Sequence, residues 1–101
     1  MLLELNIIPL GRGRSIGSDI AELVKIIDAS GVDYKLTAEG TILEGDWDRV
    51  MNVAKQCHEE MRTKTDRVIT IMHADDYEGR AGRLETSVDS IERKLGKQLQ
   101  H

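Results

Sequence analysis

The apolar positions change period several times along the chain, and the changes mark out the elements. Leu3, Leu5 and Ile7 alternate with Glu4 and Asn6, so Leu2 to Pro9 is expected to be a strand with those three on one face. Pro9 lacks an amide donor and should end the strand or sit at an edge. After a Gly-Arg-Gly-Arg loop, Ile20, Leu23, Val24 and Ile27 fall at i, i+3, i+4 and i+7, one face of a helix. Ser15 or Ser18 can cap its start, and Ser30-Gly31 supplies its stop.

Val32 to Thr37 and Thr41 to Glu44 are short strand candidates joined by a turn at Glu39-Gly40, which predicts an antiparallel hairpin. Asp46 is the expected N-cap of a second helix whose stripe is Val50, Met51, Ala54, Cys57, His58 and Met61. Arg67 to Ala74 reads as the next strand; Val68-Ile69-Thr70-Ile71-Met72 is continuous enough to suit a central strand covered on one face. Leu84, Val88, Ile91, Leu95 and Leu99 predict a third amphipathic helix, from about Leu84 to Leu95. The order β-α-β-β-α-β, with right-handed crossovers, predicts an α+β ferredoxin-like sandwich. Both main helices lie on one face of a four-stranded antiparallel sheet, with a C-terminal helix added. One domain over residues 1–101 is expected, because no linker or low-complexity stretch interrupts the pattern. The other sheet face has no helix of the core fold to cover it. The third helix or a second subunit must do so.

Composition narrows the function classes. Fourteen basic against 18 acidic residues give a net charge of −4, so nucleic acid and anionic membranes are poor default partners. Arg12, Arg14, Arg80 and Arg83 lie in glycine-containing loops and read as solvated surface. Phe is absent and aromatics make up 3% of the chain, leaving Ile, Leu, Val and Met to fill the core. Cys57 stands alone, which fits a reducing, cytoplasmic setting. The first residues lack the basic segment and cleavage site of a signal peptide, and no apolar run approaches the ~20 residues of a membrane span.

Candidate chemistry is sparse. The Gly11–Arg14 loop could offer amides to an anion but lacks the P-loop spacing, and a plain connection is its default reading. Cys57 and His58 are adjacent, about 100° apart on a helix, which matches no common metal motif; His58 reads as core filling. His73 with Asp75 and Asp76 could hold a metal or exchange protons, yet no second His stands at ligand spacing. A polar cluster at a strand end is the simpler reading, and no metal and no cofactor are expected. Glu44 shares a strand face with Ile42, opposite Leu43. It is either an anchor for a polar ligand or partner, or an edge charge against aggregation.

An ordered series of short elements carries a resemblance. It comprises Ile8-Pro9-Leu10-Gly11, Ser15 to Ala21, Ser30 to Tyr34, Gly40 to Gly45, Asp66 to Thr70 and Ser87 to Ile91. Together, and above all through Thr41, Glu44 and Gly45, they resemble the thiamine-binding-protein-like family of small ferredoxin-fold proteins. The chain departs from that family's pattern at Gly17, Asp19, His73, Tyr77 and Ser87, positions that bear on ligand identity rather than on fold. The resemblance implies subunits that pair through their sheets into homodimers or homotetramers. It also implies a site for thiamine or its hydroxymethylpyrimidine moiety near subunit contacts, without enzymatic activity.

The expected ligand-binding residues are Ser15, Ser18, Thr41, Glu44 and Asp75. They would converge if strand four lies beside a hairpin strand and the Pro9–Ser18 loop approaches the same end. Competing readings are a regulatory or scaffold oligomer that binds a protein partner, and a small enzyme using His73 and Asp75.

Overall fold

The computed structural model describes residues 1–11, 17–79, 82–85 and 96. The elements are β1 (Leu2–Pro9), α1 (Gly17–Ser30), β2 (Asp33–Thr37), β3 (Gly40–Glu44), α2 (Trp47–Arg62) and β4 (Val68–Asp75). The strands form one antiparallel sheet in the order β2-β3-β1-β4. This is the ferredoxin-like arrangement. Each crossover helix carries the chain past one strand, so β3 lies between β1 and β2, and β1 between β3 and β4.

Alternation along β1 sorts the sheet into two faces. Leu3, Leu5 and Ile7 point toward the helices and are buried. They meet Leu23 and Ile27 of α1, and Val50, Val53, Ala54, Cys57 and Met61 of α2. Leu3 and Leu43 are paired across β1 and β3 and are both 0% exposed, each contributing about 2 kcal/mol of apolar burial. The stripe expected on α2 holds at Val50, Ala54, Cys57 and Met61; Val53 joins it, while Met51 is only half-buried. Ile20, expected on the α1 stripe, is 36% exposed.

The local start and stop signals act as the chain pattern implies. The Asp46 carboxylate accepts from the Arg49 amide at 2.8 Å and caps α2. Gly31 takes φ +79° after α1, the left-handed conformation that favours glycine. Ser18 lies inside the first turn of α1 rather than at a cap, because the helix begins at Gly17; Ser15 lies outside the described residues. At the hairpin, a Cβ on Gly40 would stand 2.7 Å from the Leu5 carbonyl oxygen, so β3 can lie against β1 at this point only without a side chain.

Strand four departs from expectation. It is an edge strand paired only with β1, not a central strand and not a neighbour of the hairpin. The largely apolar run Val68–Met72 serves two faces with different roles. Val68 packs against the core, whereas Ile69 and Ile71 lie on the open face, 40% and 53% exposed. On the helix side, Thr70 Oγ1 and His58 Nδ1 share a hydrogen bond of 2.6 Å, which pins α2 to this edge; His58 is therefore half-buried and bonded rather than simple core filling. Residues 83–85 are helical, and the rest of the helix expected to Leu95 lies outside the described residues.

Candidate functional site

The sheet face away from the helices carries the charged residues of the strands. Pairing places Glu4 between Ile42 and His73, and Leu2 between Glu44 and Asp75. These side chains all point to the same side, since positions paired across antiparallel strands share a face. Here a cleft of about 550 Å³ opens, lined by Leu2, Glu4, Ile42, His73, Asp75 and Asp76, with Ala74 at its border. Such a volume suits a small organic ligand. Leu2 and Ile42 give it apolar surface, and Glu4, Asp75 and Asp76 make it acidic. Glu4 and Asp76 make no hydrogen bond or ion pair among the described residues, so their oxygens are available as acceptors.

One end of this face is closed by residues 82–85. The Glu44 carboxylate accepts from the Arg83 amide at 2.7 Å and the Leu84 amide at 3.4 Å, two donors that the helical turn 83–85 leaves without partners in its own backbone. Leu84 is thereby buried to 8% exposure. The Arg83 guanidinium bonds Asp75 Oδ2 at 2.7 Å and the Asp75 carbonyl at 3.4 Å, and lies 5.8 Å from the Tyr77 ring centroid. Its hydrogen bond holds the Asp75 carboxyl below the usual carboxylate range, while Asp75 in turn pushes the Arg83 guanidinium up. Lys35 and Glu85 add an exposed ion pair at 4.0 Å.

Of the five residues expected from sequence, the four that are described do not share one pocket. Glu44 and Asp75 flank Leu2 on the open face and are joined through Arg83. Thr41 is opposite Leu5, on the helix side, where it borders an apolar gap of about 60 Å³ with Ile20, Leu23 and Cys57, room for about two waters. Ser18 is exposed in the first turn of α1, the helix that follows the Pro9 end of β1, and Pro9 itself lies roughly 23 Å along the strand from Leu2. Ser15 lies outside the described residues.

The physical reason is topological. With β4 beside β1, its Asp75 end meets the start of β1, not the loop that follows β1. The residues missed from sequence are Leu2, Glu4, Ile42 and Arg83. Glu4 had a usable signal, since a carboxylate between Leu3 and Leu5 must point away from the core. Another groove, of about 360 Å³ between the helices, is lined by Ser30, Arg49, Asn52 and Gln56; among the described residues its only charged side chain is a cation. Among the described residues, no group of three or more His, Cys, Asp or Glu side chains is arranged to hold a metal.

A family model described as "Thiamine-binding protein" matches residues 3–92. The chain belongs to the thiamine-binding protein family. A UPF0045 protein of Synechocystis is 31% identical over 93 residues, covering 91% of this chain and 77% of that one. A UPF0045 protein of Methanothermobacter thermautotrophicus is 34% identical over 95 residues, covering 91% and 96%. Among solved structures, a hypothetical protein of Methanocaldococcus jannaschii superposes with a TM-score of 0.83 at 27% identity, covering 89% of this chain and 93% of that one. A Thermotoga maritima protein with thiamine biosynthesis/salvage in its provisional name reaches a TM-score of 0.78 over 89% of this chain and 96% of its own. At 17% identity it shares the fold alone. No helix among the described residues is long and apolar enough to cross a membrane.

Proposed function

We propose that this chain is a non-catalytic, cytoplasmic small-molecule-binding protein. On this reading it forms a single domain over residues 1–101, assembles as a homodimer or homotetramer, and takes thiamine or its hydroxymethylpyrimidine moiety in the open-face cleft. Family membership supports the ligand class. The observation that carries the reading to this cleft is its make-up: apolar surface from Leu2 and Ile42 beside the carboxylates of Glu4 and Asp76, which are unengaged among the described residues. Thiamine combines a fixed positive charge with an aminopyrimidine edge of donors and acceptors. Carboxylates answer both, by charge and by accepting from the amino group.

Asp75 lines the same cleft. Glu44 acts behind it, as the residue that seats the 83–85 turn. His73 adds a ring nitrogen at the wall. Assembly is supported by Ile69 and Ile71, exposed neighbours on the same face whose burial would need a second surface. The free thiol of Cys57 accords with a reducing compartment.

Calorimetric titration of the purified protein with thiamine, and separately with hydroxymethylpyrimidine, tests the ligand class. The expected result is saturable one-site binding of thiamine below millimolar concentration. Absence of heat at millimolar thiamine, with the protein folded, overturns the reading.

A further inference from the structure

The Arg83 side chain sits where the chemistry of the cleft invites a cation. Asp75 is one of the cleft's carboxylates, and its Oδ2 is bonded by the guanidinium at 2.7 Å. Arg83 is held there from both sides. Its backbone amide is fixed by Glu44, and its guanidinium lies over the Tyr77 ring, with its side chain only 19% exposed against 60% for Asp75. The turn that carries Arg83 is thus anchored by its backbone, independently of what the guanidinium touches. The side chain can leave Asp75 without the turn leaving Glu44.

We propose that Arg83 is an internal competitor for the cleft, a cation of the chain's own that occupies Asp75 until a cationic ligand displaces it, and so a residue that sets ligand specificity by charge. This rests on the proposed binding role of the cleft and deepens it.

Two consequences follow from electrostatics. A ligand whose fixed positive charge is seated on Asp75 competes with Arg83 there, and gains affinity when Arg83 loses its charge. A neutral ligand of related shape needs only a hydrogen-bond acceptor for its amino group, which Glu4 and Asp76 offer, and does not compete for Asp75. A partly exposed ion pair in water is a modest competitor, so the expected gain is about five-fold rather than orders of magnitude. A turn that merely obstructed the cleft would act on both ligands alike.

The test is calorimetry on the parent protein, Arg83→Gln and Arg83→Lys, each titrated with thiamine and with neutral hydroxymethylpyrimidine at pH 7.5. Circular dichroism checks that each variant is folded. Expected is about five-fold tighter thiamine binding by Arg83→Gln, unchanged pyrimidine binding, and a return toward the parent affinity in Arg83→Lys, which keeps the charge. Equal thiamine affinity in parent and Arg83→Gln overturns the competition while leaving the binding role intact. Equal gains for both ligands overturn it in favour of steric obstruction. If neither parent nor Arg83→Gln binds thiamine, both the competition and the binding role fall; binding by Arg83→Gln alone supports the competition in its strongest form.

Discussion

Replacing Glu44 with alanine isolates the link between the sheet and the 83–85 turn. The carboxylate receives one short charge-assisted hydrogen bond, from the Arg83 amide at 2.7 Å, and one at the outer limit of useful geometry, from the Leu84 amide at 3.4 Å. Hydrogen bonds to charged groups contribute roughly 1.5–3 kcal/mol, and loss of a helix-capping side chain costs roughly 0.5–2 kcal/mol. One strong and one weak bond together place Glu44→Ala near 1.5 kcal/mol, all of it in the hold on the turn, because Glu44 faces away from the helices and lies outside the main core.

Local opening of the turn should therefore become about ten-fold more frequent. Native-state hydrogen exchange followed by NMR reads this at the Arg83 and Leu84 amides, with Leu3 and Leu43 as core controls. Glu44→Gln keeps one carbonyl oxygen as acceptor and should give about half the free-energy effect. Exchange at Arg83 and Leu84 within two-fold of the parent in Glu44→Ala would refute the capping role. It would return Glu44 to the alternatives its strand position left open, a direct ligand contact or an edge charge.

Thr70→Val removes the hydroxyl bonded to His58 and leaves a half-buried ring nitrogen without that partner; urea unfolding should show a loss of about 1–2 kcal/mol at unchanged m value. Burial pushes the Cys57 thiol up from its ordinary value near 9 to about 11, so its thiolate is scarce at pH 8 and a disulfide reagent should modify it only at the rate of unfolding. Because the folded form holds its proton more tightly than the unfolded form, this stabilising contribution is full below pH 9. It is lost as pH rises from about 9 through 11, and a Cys57→Ala variant should show a flatter stability profile over that window.

Those elements whose signals are local were legible in the chain. Leu3, Leu5 and Ile7 had to share a face whatever they packed against, Asp46 carried its own capping chemistry, and Gly31 its own backbone freedom. The open face of Glu44 could be read from Leu43 beside it, but its partners lie 39 and 40 residues away, and nothing in local periodicity announces an amide from that distance. Val68–Met72 misled for a related reason. An uncharged, mostly apolar run says that both faces avoid charge, not whether two strands or one lie alongside, and here one face is open with Ile71 53% exposed. The expected convergence of the site residues rested on that placement. Setting β4 beside the hairpin gathers Ser18, Thr41 and Asp75 at one end, whereas its pairing with β1 leaves Asp75 and Glu44 together and sends the other two elsewhere.

The most direct measurement of the central claim is a titration of isotope-labelled protein with thiamine, followed by amide and methyl chemical shifts. Saturable changes are expected at Leu2, Glu4, Ile42, His73 and Asp76, around the open-face cleft, with Leu23, Ile27 and Cys57 on the helix side undisturbed. Saturable changes confined to the helix side, or to the groove at Arg49, Asn52 and Gln56, would contradict it.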